Sequence, residues 1–399
     1  MVSRIELGSI PVEVRDVIDV LKAAGYRAVL VGGSVRDLLL GRAPKDFDVA
    51  TSATPQEVIR QFKRVIPTGI DHGTVTVILG GAHVEVTTFR AEAEYLDGRR
   101  PSKVEFHEDV EADLSRRDFT INAMAFDPTA GLIDPFGGQA DLERRIVRCV
   151  RDPLERFQED GLRPLRAVRF ATVLDFALDP DTEAAIPPTV SVFRKVALER
   201  VNQELVKILL SERVSRGFEL LHRTGLLETF LPEARADRFA AAGRAPALEV
   251  VRLALLLDGA SAPTQALLRL KFPNKVAEDT ERLLASLELP LPSASDGDLR
   301  RWLQRVDPSQ LEAVLCVKNA LGLVVEPVAT RLRAIVGQSP PLSARALALD
   351  GKAIMQALGV PPSPIVGVAT RFLLERVIDE PSLNTRDALL ALLKGWERG

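Results

Sequence analysis

The sequence has few cysteines, histidines and aromatic residues, and these shortages limit the kinds of site and core that the protein can form. Its two cysteines, Cys149 and Cys316, lie far apart and form no CxxC pair, which argues against a disulfide framework and a zinc site. We expect both to be buried thiols. Four histidines occur and none follows His222, so a histidine-rich metal site in the C-terminal half is excluded by count. Aromatic residues make up 5% of the chain, which favours helices packed through aliphatic side chains.

Long apolar runs are also missing, and the net charge is small. No run of about 18 apolar residues exists, and the N-terminal stretch MVSRIELGSIPVEVRD is charged throughout. We therefore expect a cytoplasmic protein without a membrane span or a signal peptide. The formal charge of −3 leaves RNA binding open, because RNA contact needs only a local basic surface.

Two patterns of secondary structure divide the chain near residue 150. Before it, β-rich runs alternate with helical stretches. Residues 25–31 predict a strand that ends at Gly32-Gly33 before a short helix, and Gly80-Gly81 predicts a hairpin between 74–79 and 83–89. A capping box at Thr54 and Glu57 predicts a helix from about 55 to 65. After residue 150, apolar residues recur at helical spacing, as in VNQELVKILL and LNTRDALLALLK.

Two aspartates in KDFDVA are the strongest candidates for catalysis. On a predicted strand, the period of two directs Asp46 and Asp48 to the same face. Mg²⁺ accepts one or two carboxylates and completes its shell with water and phosphate oxygens, so the pair suits nucleotide chemistry. Glu85, in the next β-rich run, is the candidate third carboxylate. A bare DxD is more often a pair of solvated aspartates, and Glu85 fits an exposed strand position equally well, so neighbouring motifs must decide.

A glycine turn before these aspartates predicts a phosphate-binding site. Gly32-Gly33-Ser34 opens a helix directly after a strand, so backbone N–H groups and the helix dipole would meet a triphosphate, with Arg36 adding positive charge. The motif is neither the GxGxxG of a dinucleotide fold nor a Walker loop. An ordinary tight turn is the alternative.

Two arginine-rich segments complete the candidate site. RRDFTINA begins with Arg116 and Arg117, and EDGLRPLRAVRF contains Asp160 ahead of a row of arginines spaced by three. An aspartate and an arginine together satisfy the hydrogen-bonding edge of a base, in place of a template strand. A salt-bridged surface helix is the alternative for the second segment. The arginines of that row are Arg163, Arg166 and Arg169.

These segments, taken in order, resemble the class II tRNA nucleotidyltransferases, the superfamily that also contains bacterial poly(A) polymerases. The resemblance covers most of the chain. It is carried by GGSVRDLLLGRAPKDFDVAT, RRDFTINAMAFD, DPFGG, RFQEDGLRPLRAVRFA, ERVNQELVKILL, LRLKFPNK and LALDGKAIMQALGVPPSPIVG.

The resemblance implies an α+β protein with a polymerase β-like head, whose sheet is mixed or antiparallel, followed by all-α neck, body and tail domains. The expected bounds are 1–150 for the catalytic head, 151–225 for the neck, 226–340 for the body and 341–399 for a tRNA-binding tail. Some relatives carry an HD phosphohydrolase domain, but the corresponding stretch here, LALLLDGAS, contains no histidine.

The same resemblance implies roles for individual residues. Asp46 and Asp48 match the Mg²⁺ ligands, while Gly33 and Arg36 match positions that contact the triphosphate. Arg117 or Arg116 contacts the nucleotide as well. The pair that reads the incoming base corresponds to Asp160 and Arg163, followed by Arg166 and Arg169 on the same helix. Gly161 and Pro164 depart from the family pattern, which places a helix start near them.

The function implied is addition of CMP and AMP from CTP and ATP to the 3′ end of tRNA. Two related activities stay open, A-only addition to tRNA and poly(A) synthesis. Addition of CC alone is disfavoured, because the segment 89–115, shortened in CC-adding relatives, is retained with its Asp97-Gly98 turn. A catalytically retired RNA-binding protein conflicts with the intact aspartates, and a nucleotidyltransferase for small molecules would not need the long helical half.

Overall fold

The computed structural model describes residues 4–70, 73–91, 105–106, 109–323 and 325–396. The chain forms two compact units, Met1–Pro232 and Glu233–Gly399. The finer division into head, neck, body and tail stays a prediction. Within the described ranges, none of the helices has both the length and the apolar character that crossing a membrane requires.

The first unit contains a seven-stranded sheet with the strand order β3-β4-β5-β2-β1-β8-β9. Neighbouring strands are antiparallel except β2 and β5, which run parallel with Asp48 opposite Glu85. This confirms the predicted α+β class with a mixed sheet. The strands, including those of two small two-stranded sheets, are β1 (Ala28–Val31), β2 (Asp48–Thr51), β3 (Val65–Gly69), β4 (Thr74–Leu79), β5 (Ala82–Thr88), β6 (Arg90–Ala91), β7 (Glu105–Phe106), β8 (Ala125–Asp127), β9 (Gly131–Ile133), β10 (Ile146–Val147) and β11 (Ala177–Leu178).

Helices cover the sheet and continue beyond it to the end of the first unit. They are α1 (Val12–Ala23), α2 (Gly33–Leu39), α3 (Pro55–Gln61), α4 (Val110–Ser115), α5 (Gly138–Arg144), α6 (Pro153–Glu159), α7 (Arg163–Leu174), α8 (Pro180–Ala184), α9 (Ile186–Phe193), α10 (Leu198–Leu209), α11 (Val214–Arg223) and α12 (Leu227–Phe230). A 3-10 turn, Thr120–Asn122, precedes β8.

Local sequence signals account for several of these elements. Gly80 and Gly81 both have positive φ angles, 57° and 89°, as the tight turn between β4 and β5 requires. Thr54 and Glu57 form the predicted capping box at the start of α3. The predicted end of that helix at residue 65 is wrong, because Phe62 is extended and Val65 pairs with β4.

The predicted placement of both aspartates on one strand is also wrong in part. β2 begins at Asp48, so Asp46 lies in the irregular segment that precedes it. Pairing explains the boundary, since Asp48 is the first residue of β2 in register with β1 and β5. Asp46 is exposed and Asp48 is partly buried.

The second unit is helical in its described part and has two apolar cores. One core packs Leu255, Leu299 and Trp302 with their neighbours, and the other packs Ile354, Leu373 and Leu389. The helices are α13 (Phe239–Arg244), α14 (Glu249–Leu256), α15 (Pro263–Arg269), α16 (Asn274–Ala285), α17 (Asp296–Val306), α18 (Leu311–Ala320), α19 (Glu326–Gly337), α20 (Gly351–Leu358), α21 (Pro364–Asp379) and α22 (Arg386–Lys394).

Candidate active site

A cavity of about 410 Å³ in the first unit brings most of the predicted site residues together. It lies where β1, β2 and β5 meet the N-terminal ends of α2 and α7. Six arginines and four carboxylates line it, so the wall has an excess of positive charge that suits an anionic ligand. The charged lining residues are Arg36, Arg90, Arg116, Arg117, Arg163, Arg166, Asp48, Glu85, Asp118 and Asp160.

Two of the three predicted carboxylates, Asp48 and Glu85, line the strand edge of the cavity, whereas Asp46 is not part of its wall. The parallel register of β2 and β5 places Asp48 beside Glu85, with Asp46 two residues before Asp48 in the chain. Burial raises the pKa of Asp48, a rise that Arg117 opposes and Asp46 strengthens. Burial and the charge of Asp48 raise the pKa of Glu85. Asp48 and Glu85 are therefore harder to ionise than isolated carboxylates, and a cation beside them would relieve the repulsion.

These carboxylates suit a hard divalent cation. Within the described residues, no group of three or more His, Cys, Asp or Glu side chains is arranged to hold a metal ion. A cation that keeps water and substrate phosphates in its shell needs only one or two protein carboxylates. Asp46 and Asp48 are the predicted pair, and Asp46 is exposed and therefore accessible to a cation.

The glycine turn after β1 forms one end of the cavity, which the sequence predicts to be its phosphate end. Gly32 has a φ of 74°, and a Cβ atom built there would lie 2.8 Å from Nη1 of Arg117. The backbone conformation thus favours glycine, and a larger residue would also displace the Arg117 guanidinium group that packs against this turn. From α2, the Arg36 side chain donates a hydrogen bond to Oδ1 of Asn122.

A buried aspartate of α4 holds both arginines of the RRD motif. Arg116 donates to Oδ1 of Asp113 at 2.7 Å, and Arg117 donates to Oδ2 at 2.9 Å. The Asp113 side chain is 1% exposed. Burial alone would raise the pKa of Asp113, but the two guanidinium groups hold it at about 2. The arginines are therefore fixed in the cavity wall by a permanently charged partner.

The predicted base-reading pair lies at the junction of α6 and α7. Oδ2 of Asp160 accepts from Arg200 at 2.8 Å, and Oδ1 accepts from the backbone N–H of Leu162 at 3.0 Å. Burial acts to raise the pKa of Asp160, and its hydrogen bonds outweigh this and lower the pKa. A Cβ atom on Gly161 would lie 2.8 Å from the Val192 carbonyl, so this departure from the family pattern allows α9 to approach closely.

The arginines of α7 have different surroundings. Arg163 donates to Glu159 and to the backbone carbonyls of Arg156 and Arg116, which ties α7 to the RRD segment. As predicted, Pro164 lies in the first turn of the helix.

Arg166 donates to Asp118 within the cavity wall, at 2.6 Å and 2.8 Å. Arg169 pairs with Glu204 and stacks on Phe170, 3.3 Å from the ring centroid. It is not part of the cavity wall.

The sequence located the walls of the cavity but missed the residues that hold them. Asp113, Asn122 and Arg200 are not among the predicted site residues, although each fixes one of them by a direct hydrogen bond. Asp113 precedes Arg116 and Arg117 by three and four residues, a spacing at which side chains meet on a helix. The sequence therefore contains a pattern from which these two ion pairs could be predicted. No sequence pattern links Asn122 to Arg36 across 86 residues. The Asp97-Gly98 turn lies outside the described residues.

Comparison with known families matches two parts of the chain. Residues 28–148 match the poly A polymerase head domain family. Residues 175–237 match the family described as a probable RNA and SrmB-binding site of polymerase A. The first match includes the cavity-lining residues from Val31 to Asn122. The second match begins directly after α7, the helix that completes the cavity wall.

Individual proteins match over nearly the whole length. The chain is 38% identical to a CCA-adding enzyme of Geobacillus stearothermophilus over 395 residues, which covers 96% of each chain. It superposes on the crystal structure of a Bacillus stearothermophilus CCA-adding enzyme in complex with CTP with a TM-score of 0.82, at 35% identity and 96% coverage of each chain. A tRNA nucleotidyltransferase complexed with a primer tRNA and an incoming ATP analog matches with a TM-score of 0.63 at 26% identity, covering 80% of this chain and 99% of that one.

Proposed function

The chain belongs to the family of CCA-adding enzymes, and we propose that Asp46 and Asp48 form the catalytic centre of its nucleotidyltransferase site. The enzyme adds CMP and AMP from CTP and ATP to the 3′ end of tRNA. In this reaction the terminal hydroxyl of the tRNA attacks the α-phosphate of the nucleotide, and pyrophosphate leaves. No template strand takes part, so the protein itself must select the base.

Nucleotidyl transfer in this family depends on a metal ion, which in this chain we propose to be Mg²⁺ held by Asp46 and Asp48. Such an ion stabilises the charge that develops on the transferring phosphate. Glu85 faces the same edge of the cavity, beside Asp48. Its raised pKa supports a role in accepting the proton of the attacking hydroxyl or in completing the metal shell.

The phosphate end of the cavity binds the triphosphate in this proposal. Gly33 begins α2, so its backbone N–H points toward an anion at the helix N-terminus. Arg36, Arg116 and Arg117 add fixed guanidinium groups around that position. Because Asp113 holds two of these arginines before the substrate arrives, little reorganisation is needed when the phosphates bind.

The N-terminal end of α7 selects the base in this proposal. Asp160 offers hydrogen-bond acceptors and Arg163 offers donors, which together match the edge of a pyrimidine or purine. Arg166 lines the cavity beside them, whereas Arg169 lies behind Phe170 and supports the helix. The remaining helical segments, with the predicted tail at 341–399, supply the tRNA-binding surface. Since tRNA, CTP and ATP are cytoplasmic, we place the enzyme in the cytoplasm.

The proposed site is supported above all by one cavity, which is lined by Asp48 and Glu85 together with the arginines of the RRD and EDGLR segments. We expect Asp46→Ala and Asp48→Ala each to lower kcat at least about a hundredfold, because transition-state charge loses its stabilisation. Affinity for tRNA, measured by filter binding, should stay nearly unchanged. Asp127→Ala is the matched control, since it removes a carboxylate of the same sheet that pairs with Lys22 outside the cavity. Wild-type turnover in either Asp46→Ala or Asp48→Ala would disprove the site.

A further inference from the structure

Asn122 lies between two charged groups in the wall of the nucleotide cavity. Its Oδ1 accepts a hydrogen bond from Nη1 of Arg36 at 2.7 Å, and its Nδ2 donates to Oδ1 of Asp118 at 3.0 Å. The other carboxylate oxygen of Asp118 accepts from Arg166 at 2.6 Å and 2.8 Å. A continuous chain of hydrogen bonds therefore runs from Arg36 on α2 to Arg166 on α7.

The chemistry of this chain requires a side chain that both accepts and donates. A guanidinium group has donors only, and an ionised carboxylate has acceptors only. The amide of Asn122 accepts from Arg36 and donates to Asp118, so its partners fix the orientation of the amide. An aspartate at this position would repel Asp118, and an apolar residue would leave both partners without this contact. Asn122 is 7% exposed, so water does not readily replace it.

A shared aromatic ring connects the same two arginines a second time. The guanidinium carbon of Arg36 lies 5.2 Å from the ring centroid of Phe170, and that of Arg166 lies 5.4 Å from it. Phe170 is itself a residue of α7 and is 4% exposed. A displacement of one arginine therefore changes the surroundings of the other through both the ring and the Asn122 amide.

We propose that Asn122 is a positioning residue that couples binding of the triphosphate by Arg36 to selection of the base by α7. The inference rests on the proposed function, in which Arg36 contacts phosphate and the N-terminal end of α7 contacts the base. A base that fits α7 holds Asp118 and Arg166 in place. Through its hydrogen bonds to Asp118 and Arg36, Asn122 then holds the Arg36 guanidinium group in its phosphate-binding position. Because coupling is reciprocal, a firmly bound triphosphate also sharpens the choice of base.

The test is a double-mutant cycle with pyrophosphate as the probe of the phosphate site. We expect Asn122→Leu to weaken inhibition by pyrophosphate about tenfold, the effect of losing one hydrogen bond to a charged group. In an Arg36→Met background, Asn122→Leu should weaken it no further, because the two residues act on the phosphates as one unit.

A second readout concerns the choice of base. The preference for CTP over UTP, as a ratio of kcat/KM on tRNA lacking CCA, should fall at least about fivefold in Asn122→Leu. In an Arg166→Met background, Asn122→Leu should reduce the preference no further. A residue that serves stability alone would lower activity with every nucleotide equally and leave this ratio unchanged.

The matched control is Thr120→Val, in the same 3-10 turn. Thr120 is 3% exposed and donates to Asp141 at 2.7 Å, so this variant also removes a buried hydrogen bond to a carboxylate. It contacts a different cavity from the nucleotide site. We expect it to lower the melting temperature yet leave pyrophosphate inhibition and base preference near wild type. If Asn122→Leu does not fold, Asn122→Ser replaces it, because a hydroxyl cannot span both partners.

The possible results separate this inference from the proposed function. If Arg36→Met leaves pyrophosphate inhibition unchanged, the proposed role of Arg36 is wrong and the inference falls with it. If Arg36→Met weakens inhibition but the losses from Asn122→Leu and Arg36→Met add, only the role of Asn122 is overturned. An equal effect of Thr120→Val on base preference would likewise overturn it.

Discussion

At the scale of single residues, the site consists of arginines held in advance by carboxylates. Asp113 holds two arginines, Asp118 holds Arg166, and Asp160 is itself held by Arg200. Fixed charges of this kind need not rearrange when charge develops on the substrate in the transition state. Water molecules would have to reorient, and this difference is the main electrostatic advantage of an enzyme over water. The arginines stand in motifs and are therefore predictable from sequence, whereas Asp118 and Arg200 come near Arg166 and Asp160 only on folding.

Gly32 gives the most direct residue-scale prediction. Alanine at this position would force a φ of 74° on a residue with a Cβ atom and displace Arg117, whose Nη1 would lie 2.8 Å from it. We expect Gly32→Ala to raise KM for CTP at least about tenfold, because a charged contact to the triphosphate is lost.

Gly225→Ala is the control for Gly32→Ala. Gly225 has a similar φ of 72°, but nothing lies within 4 Å of its Cβ position, so it tests backbone strain alone. Comparable KM values for the two variants in steady-state assays would show that Arg117 does not act through Gly32.

The contacts of Asp160 predict a change in fidelity. Asp160→Ala should reduce discrimination among the four nucleotides more than it weakens inhibition by pyrophosphate. Arg200→Met should act in the same direction but less strongly, because Arg200 orients the Asp160 carboxylate without reaching the cavity. Misincorporation assays with each triphosphate measure the effect.

The control for the fidelity prediction is Arg223→Met, which removes an exposed arginine that pairs with Glu183. It should leave fidelity unchanged. A uniform loss of rate with unchanged selectivity in Asp160→Ala would contradict the base-reading role.

At the scale of secondary-structure elements, local signals predicted where elements exist better than where they end. The hairpin of β4 and β5 and the cap of α3 follow from glycine and capping chemistry, which act within a few residues. The ends of α3 and β2 depend on strand pairing with distant residues, which a local pattern does not contain. The parallel pairing of β2 with β5, which puts Asp48 beside Glu85, is a tertiary feature of the same kind.

The anchoring of α4 gives a prediction about acid stability. The pKa of Asp113 is held at about 2 in the folded protein, below its ordinary value of 3.8. The carboxylate therefore stabilises the fold above about pH 4, and this contribution, about 2 kcal/mol, is lost as the pH falls towards about 2. We expect the difference in unfolding free energy between wild type and Asp113→Asn to shrink over that range in urea denaturation.

An exposed pair provides the control for this pH dependence. Asp237→Asn removes a surface partner of Arg235, where solvent screens the charge, so the difference from wild type should change far less with pH. A difference between wild type and Asp113→Asn that stays constant from neutral to acid pH would contradict the predicted role of Asp113.

At the scale of the whole molecule, one compact unit contains the entire cavity that we propose binds the nucleotide. The ordered motifs made the family, the α+β class and the substrates predictable from sequence. The contacts of Asn122 with Arg36 and of Arg200 with Asp160 were not predictable, because they join elements that are distant in sequence. The boundary near residue 150 follows from the change in secondary-structure pattern and the later bounds from the resemblance, and the four-domain division stays a prediction.

The helical half should have no phosphohydrolase activity of the HD type. Such a site needs histidines and aspartates together, and no histidine follows His222 in the sequence. We expect purified enzyme not to hydrolyse 2′,3′-cyclic nucleotides with any divalent metal. Metal-dependent hydrolysis that co-purifies with transferase activity through successive columns would contradict this.

The measurement that tests the central claim most directly offers the enzyme tRNA that ends at the discriminator base, with CTP alone. We expect addition of two cytidines and then a stop, followed by a single adenosine once ATP is supplied. The matched reactions use tRNA ending in CC with ATP alone, and an unstructured RNA with ATP. No incorporation of CMP alongside efficient addition of AMP to tRNA ending in CC would contradict the account and identify an A-adding enzyme, and long adenosine tracts on the unstructured RNA would identify a poly(A) polymerase.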